Sequence, residues 1–149
     1  MTKSSGFTLI ELGIVVAILA VLAAIVIPMY GDYKDRINVQ KAISDIVEIG
    51  SFIKQYENDN RELPDSLADA GVGGKVDPWG HAYEYLNITT QKGKGSLRKD
   101  KSLNPLNSDY DLYSKGKDGV TKMQISQKDS LDDVIRIRDG QFIGLAADF

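Results

Sequence analysis

The chain has 149 residues, 42% of them hydrophobic, and a formal net charge of −3. This size is enough for one domain and an appendage, and the slight acidity gives no reason to expect nucleic-acid binding. The sequence contains no cysteine and a single histidine, His81. Disulfides, thiol catalysis and thiolate metal sites are therefore excluded, and a histidine-based catalytic triad is improbable.

The first element is an apolar segment at the N-terminus. From Leu12 to Ile27 every residue is apolar or glycine, and extending the segment back to Phe7 adds only one charged residue, Glu11. A membrane-spanning helix needs about 20 such residues, so the segment is long enough to cross a bilayer. The short flank before it carries Lys3, which favours a cytoplasmic N-terminus.

Glu11 is costly in such a segment. A charge inside a spanning helix costs about 2.5–3.5 kcal/mol and is usually paired or functional. One interpretation is that Glu11 lies near the membrane interface and reaches out to water. The other supplies a partner: if the chain were cut after Gly6, Phe7 would carry a new α-amino cation. Among parallel helices, Glu11 of one subunit could then meet the amine of its neighbour and set the axial stagger.

The residues "GFTLIE", the short lysine-bearing leader, the apolar helix and Pro28 resemble the N-terminus of type IV pilins and pseudopilins. This resemblance implies a leader at 1–6, a transmembrane and filament-core helix at 7–30, and a head at 31–149. It also implies that a prepilin peptidase cuts between Gly6 and Phe7 and methylates the new N-terminus. The resemblance gives Glu11 a role in aligning subunits.

The helical pattern continues beyond Pro28, which should kink the helix because proline lacks a backbone donor. Apolar residues then recur at steps of three and four, as on one face of a helix that packs on a globular core. They are Val39, Ala42, Ile43, Ile46, Ile49, Ile53 and Tyr56. Pro64 ends this pattern, and Asp65 or Ser66 could cap a short helix at 67–70.

Strands are predicted in the remainder of the chain. "DPWG" is a turn before a strand near 82–88, "DYDLYS" (109–114) is a second strand, and 134–146 form a hairpin around a two-residue turn at Asp139-Gly140. The predicted fold class is α+β: one long N-terminal α-helix packed on a small antiparallel β-sheet. Between the strands, 89–108 is a polar loop with five basic residues, including Arg98. This loop is either solvated or touches a neighbouring subunit or an acidic partner.

Aspartates crowd the last third of the chain. Composition alone favours a solvated acidic loop over a metal site, but "DPWGHAYEYL" and "DYDLYSKGKDG" resemble the major pseudopilin of type II secretion. That resemblance implies one calcium ion, bound by Asp118 and Asp132 side chains and a carbonyl near Lys115, with Asp133 or Asp129 able to substitute. The segment after Asp118-Gly119 departs from the family because it is long and has no further glycine before Asp132.

These features predict a structural subunit and not an enzyme. The resemblance implies a homo-oligomeric helical pseudopilus that supports export of folded proteins by type II secretion. It also implies an inner-membrane location with the head in the periplasm, and lipid contact before assembly. The expected partners are prepilin peptidase, an inner-membrane assembly platform and minor pseudopilins. The alternative is a true type IV pilin in a surface fibre for adhesion, motility or DNA uptake.

Overall fold

A computed structural model describes residues 6–149. One long helix, α1 (Leu9–Asn60), is followed by a four-stranded sheet formed by β1 (Glu84–Asn87), β2 (Tyr110–Ser114), β3 (Val134–Ile137) and β4 (Phe142–Leu145). Two single 3₁₀ turns, Lys128–Ser130 and Ala146–Asp148, complete the regular structure of the described residues. The α+β fold class predicted from the sequence is confirmed.

Internal contacts divide the chain into two compact units, with the boundary after Ile37. The first unit contains the apolar beginning of α1. The second, Asn38–Phe149, contains the rest of α1, the sheet and all the connecting loops, and we call it the head. The predicted boundary of the head was residue 31, earlier in the same helix.

The head part of α1 presents the predicted apolar face. Ala42, Ile46, Ile49 and Ile53 are fully buried, and they form one core with side chains of β2 and β3 such as Leu112 and Val134. The same face carries one charged residue, Asp45, which is only 4% exposed. Steps of three and four thus identified the buried face correctly, although they gave no sign of the carboxylate within it.

The helix ends where the sequence indicates. Arg61 takes a left-handed conformation (φ 64°), and its N–H donates to the Glu57 carbonyl at 2.8 Å, which closes the last turn. The short helix predicted at 67–70 is wrong. Those residues form a turn that Gly71 (φ 77°) stops, while the N–H of Ser66 donates to the Asp69 carboxylate as a local cap.

The sheet is an antiparallel meander in the order β1-β2-β3-β4. One face packs on α1. The other face is covered by the loops and forms a second core, whose buried members are Leu106, Ile125, Ile135, Ile137 and Ala146. Every residue of β3 is buried, because the strand is central and is covered on both faces.

The predicted hairpin is present, but its two-residue turn is wrong. Ile137 pairs with Phe142, so the connection contains the four residues 138–141. Contacts with the 105–108 segment hold this loop open: Arg138 N–H donates to the Leu106 carbonyl, and the Asp139 carboxylate accepts from Ser108 N–H at 2.7 Å. A tertiary contact, which local sequence does not show, has overridden the local turn preference.

Candidate functional site

The apolar first unit exposes its side chains on every face. From Phe7 to Ile27 each large apolar residue is between 45% and 90% exposed within the chain. The helix is long and apolar enough to cross a membrane by length and composition. A helix that is hydrophobic all round is stable only when lipid or other helices cover it. This unit is therefore built for a membrane, a helical assembly, or both in turn.

Glu11 has a partner within its own chain. Its Oε2 accepts hydrogen bonds from the backbone N–H of Thr8 at 2.8 Å and from the Thr8 hydroxyl at 2.9 Å, while Thr8 Oγ1 accepts from the Glu11 N–H at 3.2 Å. This is a reciprocal cap on the first turn of α1. Both bonds from Thr8 end on Oε2, so the other carboxylate oxygen can still accept from another chain.

Thr8 was missed in the sequence analysis. The signal for it was a threonine three residues before a glutamate at the start of an apolar run, the pattern of a capping box. The cap offers a second reason for a carboxylate at position 11, because it satisfies N–H groups that lipid cannot. The subunit-alignment role predicted for Glu11 concerns a second chain and stays a prediction.

The predicted cleavage point lies just before the helix. Gly6 and Phe7 precede the first helical residue, Leu9, and Phe7 is 82% exposed. The bond between them is thus in irregular, exposed backbone, the conformation in which a peptidase can bind a chain. Lys3 and the other leader residues, 1–5, lie outside the described residues.

Pro28 lies inside α1, and the helix continues through it. Its ring nitrogen cannot donate a hydrogen bond, so one carbonyl of the preceding turn lacks its helical partner. The kink predicted at this position stays a prediction.

Of the predicted calcium ligands, Asp118 and Asp132 lie together. The Asp118 N–H donates to Asp132 Oδ2 at 3.0 Å, and Asp118 Oδ1 accepts from the Val120 N–H at 2.8 Å. The Lys115 side chain pairs with Glu84 at 2.7 Å. Among residues 6–149, no three His, Cys, Asp or Glu side chains are grouped so that they could hold a metal ion.

Asp133 is buried, and its partner is an arginine. Asp133 Oδ2 accepts from Nη2 of Arg98 at 2.5 Å, and both side chains are at most 5% exposed. Arg98 is one of the basic residues that the sequence places on a solvated surface loop, and for this residue that prediction is wrong. Its burial follows from the pairing, since a buried charge requires a partner of opposite sign. Asp133, the predicted substitute ligand, is thus paired with Arg98, and the calcium site itself stays a prediction.

Within residues 6–149, the single histidine hydrogen-bonds to a backbone carbonyl and not to a hydroxyl nucleophile. Ser114 Oγ donates to Asp77 Oδ2 at 2.5 Å, while His81 Nδ1 lies 3.1 Å from the Gly116 carbonyl and 3.8 Å from that same Asp77 oxygen. The serine thus bonds to the carboxylate and not to the imidazole, which is the wrong order for a triad. Asp77 also accepts from the N–H groups of Trp79 and His81, so the cluster holds the predicted turn in place.

Comparison with known proteins agrees with these features. Residues 1–27 match the family described as "Prokaryotic N-terminal methylation motif". The type II secretion system core protein G of Vibrio cholerae is 34% identical over 109 residues, which is 58% of this chain and 73% of the relative. The protein of the same name from Pseudomonas aeruginosa is 33% identical over 138 residues, 78% of this chain and 86% of the relative.

A fimbrial protein of Neisseria meningitidis is 30% identical over 139 residues, 93% of this chain and 82% of the relative. No solved structure matches the chain. The similarity to core protein G and the match to the methylation motif agree with the structure, in which an exposed apolar helix begins just after Gly6-Phe7. The chain belongs to the type II secretion system core protein G family, within the superfamily of type IV pilins and pseudopilins.

Proposed function

We propose that this protein is the major structural subunit of a pseudopilus, a helical filament that supports export of folded proteins by a type II secretion system. The observation that carries the proposal is the first unit of α1, whose large apolar side chains are 45–90% exposed behind a processing motif. Lipid covers these side chains before assembly, and the same helices of neighbouring subunits cover them in the filament.

Processing makes the segment competent for assembly. A prepilin peptidase cuts the exposed bond between Gly6 and Phe7 and methylates the amine of Phe7. The new cation lies a helical turn from Glu11 in its own chain, and parallel packing brings it near Glu11 of the adjoining subunit. Two charges that are each expensive in an apolar surrounding then neutralise each other, and their pairing fixes the axial register.

The remaining partners follow from this role. The subunit is held in the inner membrane by one helix with its head in the periplasm. An inner-membrane assembly platform extracts it, and minor pseudopilins start the filament. The protein performs no catalysis in this scheme, and the Ser114–Asp77–His81 cluster supports this view because its hydrogen bonds are structural.

Intact mass tests the processing step. Protein extracted from the membrane should lack Met1 to Gly6 and carry one additional methyl group on Phe7. A mature filament whose subunits retain the initiator methionine would refute the charge pairing, because the amine would be in the wrong place.

The capping role and the pairing role of Glu11 can be separated by three variants. Glu11→Ala loses both roles. Glu11→Gln keeps a side-chain oxygen that can accept from Thr8 but loses the charge, and Thr8→Ala removes the cap but keeps the charge. Filament yield is measured against the amount of subunit in the membrane.

If pairing between subunits controls assembly, Glu11→Gln should assemble as poorly as Glu11→Ala, while Thr8→Ala should assemble nearly as well as wild type. All three should insert normally. The opposite ranking, with Thr8→Ala defective and Glu11→Gln competent, would show that Glu11 acts as a helix cap alone.

A true type IV pilin is the second candidate, and the 93% coverage by the Neisseria fimbrial protein favours it. A deletion strain distinguishes the two functions. Loss of exoprotein secretion with surface fibres retained supports the pseudopilus. Loss of surface fibres with secretion retained supports the pilus, for which adhesion, motility and DNA uptake are the activities to score.

A further inference from the structure

The guanidinium of Arg98 lies deep in the head, although its neighbours in the 89–108 loop are exposed lysines. The residue is 4% exposed, and its backbone N–H donates to Asp111 Oδ2 at 3.1 Å, which fixes the loop against β2. Arginine is almost never fully buried unless it is paired. The side chain must therefore satisfy a specific negative group.

Arg98 joins three parts of the head. Its Nη2 pairs with Asp133, immediately before β3, and its Nη1 donates to the Thr121 hydroxyl at 2.8 Å in the segment after Asp118-Gly119. Its guanidinium also lies 3.9 Å from the centroid of the Tyr113 ring in β2. The Thr121 hydroxyl in turn donates to Asp133. One cation thus ties the acidic segment to the sheet.

The ion pair leaves one buried donor and one buried acceptor without a partner. Arg98 Nε and Asp133 Oδ1 are both buried and have no hydrogen-bond partner among the described residues. A bidentate contact, the strongest geometry for arginine and a carboxylate, would satisfy both atoms at once. The guanidinium therefore offers a partner for the free oxygen without a metal ion.

The other carboxylates of this segment already accept from groups in the head. Asp118 accepts from the Val120 N–H, Asp132 accepts from the Asp118 N–H, and Asp129 lies 3.7 Å from the ammonium of Lys122. Calcium needs six to eight oxygen ligands. A second cation at Asp133 would also lie close to a guanidinium that is permanently charged.

We propose that the Arg98 guanidinium supplies the positive charge that a calcium ion would otherwise supply beside Asp133, so that this head is stable without calcium. The long segment between Gly119 and Asp132 fits this role. Thr121 lies within it and Asp133 follows it, and both accept hydrogen bonds from the Arg98 guanidinium. The proposal concerns the stability of the head and does not depend on which filament the subunit forms.

The test uses the full-length protein solubilised in detergent and compares its thermal unfolding in EDTA with that in millimolar calcium, followed by circular dichroism. Wild type should unfold at the same temperature in both conditions. Arg98→Ala leaves Asp133 buried without its cation and should lower the midpoint by about 10 °C. Calcium should restore part of that loss, because Asp133 and the adjacent Asp132 then attract it.

Arg136→Ala is the matched control. Arg136 is also buried, pairs with Asp109 at 2.7 Å and lies 4.0 Å from the centroid of the Tyr110 ring. Its loss should also lower the midpoint, and the size of that effect shows how much of the Arg98→Ala loss comes simply from removing a buried cation. If Arg98→Ala fails to fold, equilibrium dialysis of wild type with calcium remains decisive, and no binding is expected.

Three results would overturn the proposal. They are a wild-type midpoint that falls in EDTA, stoichiometric calcium binding by wild type, and an Arg98→Ala protein that calcium does not help. Arg98→Lys keeps the charge without the planar fork, and its midpoint should lie between those of wild type and Arg98→Ala.

Discussion

Replacement of Asp45 by alanine tests how a buried carboxylate on α1 stabilises the head. Asp45 Oδ2 accepts from the Tyr83 hydroxyl at 3.0 Å, and Asp45 Oδ1 pairs with Lys41 at 3.2 Å and with Lys75 at 3.4 Å. Burial raises the pKa of Tyr83, so its hydroxyl remains protonated and donates. Alanine would leave that hydroxyl buried without an acceptor.

The expected cost follows from the exposure of each partner. A buried hydrogen bond to a charged acceptor contributes about 1.5–3 kcal/mol. The Lys41 side chain is 62% exposed, so this pair adds about 0.3–0.5 kcal/mol. Lys75 is 22% exposed and shares its charge with Glu48, so its pair adds less than about 1 kcal/mol. Asp45→Ala should therefore lower the free energy of unfolding by about 2–4 kcal/mol.

A double-mutant cycle isolates the main contribution. The free energies of unfolding of Asp45→Ala, Tyr83→Phe and the double variant are measured by urea denaturation at neutral pH. The coupling energy between Asp45 and Tyr83 should be about 1.5–3 kcal/mol. Glu48→Ala is the control, because this side chain is 56% exposed and its loss should cost under about 1 kcal/mol. If the effects of the two single variants add up to that of the double variant to within about 0.5 kcal/mol, the reasoning is refuted.

Three further predictions concern residues of the head. Ile49→Ala should cost about 2–5 kcal/mol in urea denaturation, because the side chain is fully buried between α1 and the sheet. Gly116→Ala should lower the thermal midpoint sharply, since φ is 65° and a Cβ would lie 2.2 Å from the Asp132 carbonyl oxygen, whereas Gly93→Ala, with open space around it, should not. Burial alone would raise the pKa of Asp45, but hydrogen bonds from its partners outweigh burial and lower the pKa below its ordinary value. The stabilisation by Asp45 should thus be full above about pH 4 and lost below it, so that wild type and Asp45→Ala converge in acid.

Periodicity was enough to predict the main elements. The apolar steps from Val39 to Ile53 identified the buried face of α1, because a helix that packs on a sheet must bury one stripe. The apolar residues at 134–137 also identified a strand, although the structure buries both of its faces. The clustering of Gly6, Phe7 and Glu11 identified the family, since their types and order together are specific while each alone is common.

Contacts between distant residues could not be predicted. Arg98 and Asp133 are separated by 35 positions, and nothing near either residue shows that the other is its partner. Composition therefore assigned Arg98 to a solvated basic loop, and the family resemblance made Asp133 a substitute ligand of a calcium site. The prediction of a two-residue turn at Asp139-Gly140 was wrong for a similar reason, because Ser108 and Leu106 bind that loop from another part of the chain.

The 89–108 loop has an exposed tip and buried ends, and this difference has a practical consequence for locating the protein in cells. Its tip, 91–96, is exposed, whereas Leu97 and Arg98 at one end and Leu106 and Asn107 at the other are buried. A short epitope or dye-binding tag inserted between Gly93 and Gly95 would displace no packed group. An insertion a few residues later would pull Arg98 away from Asp133, so the tip is the place for a label that leaves the head intact.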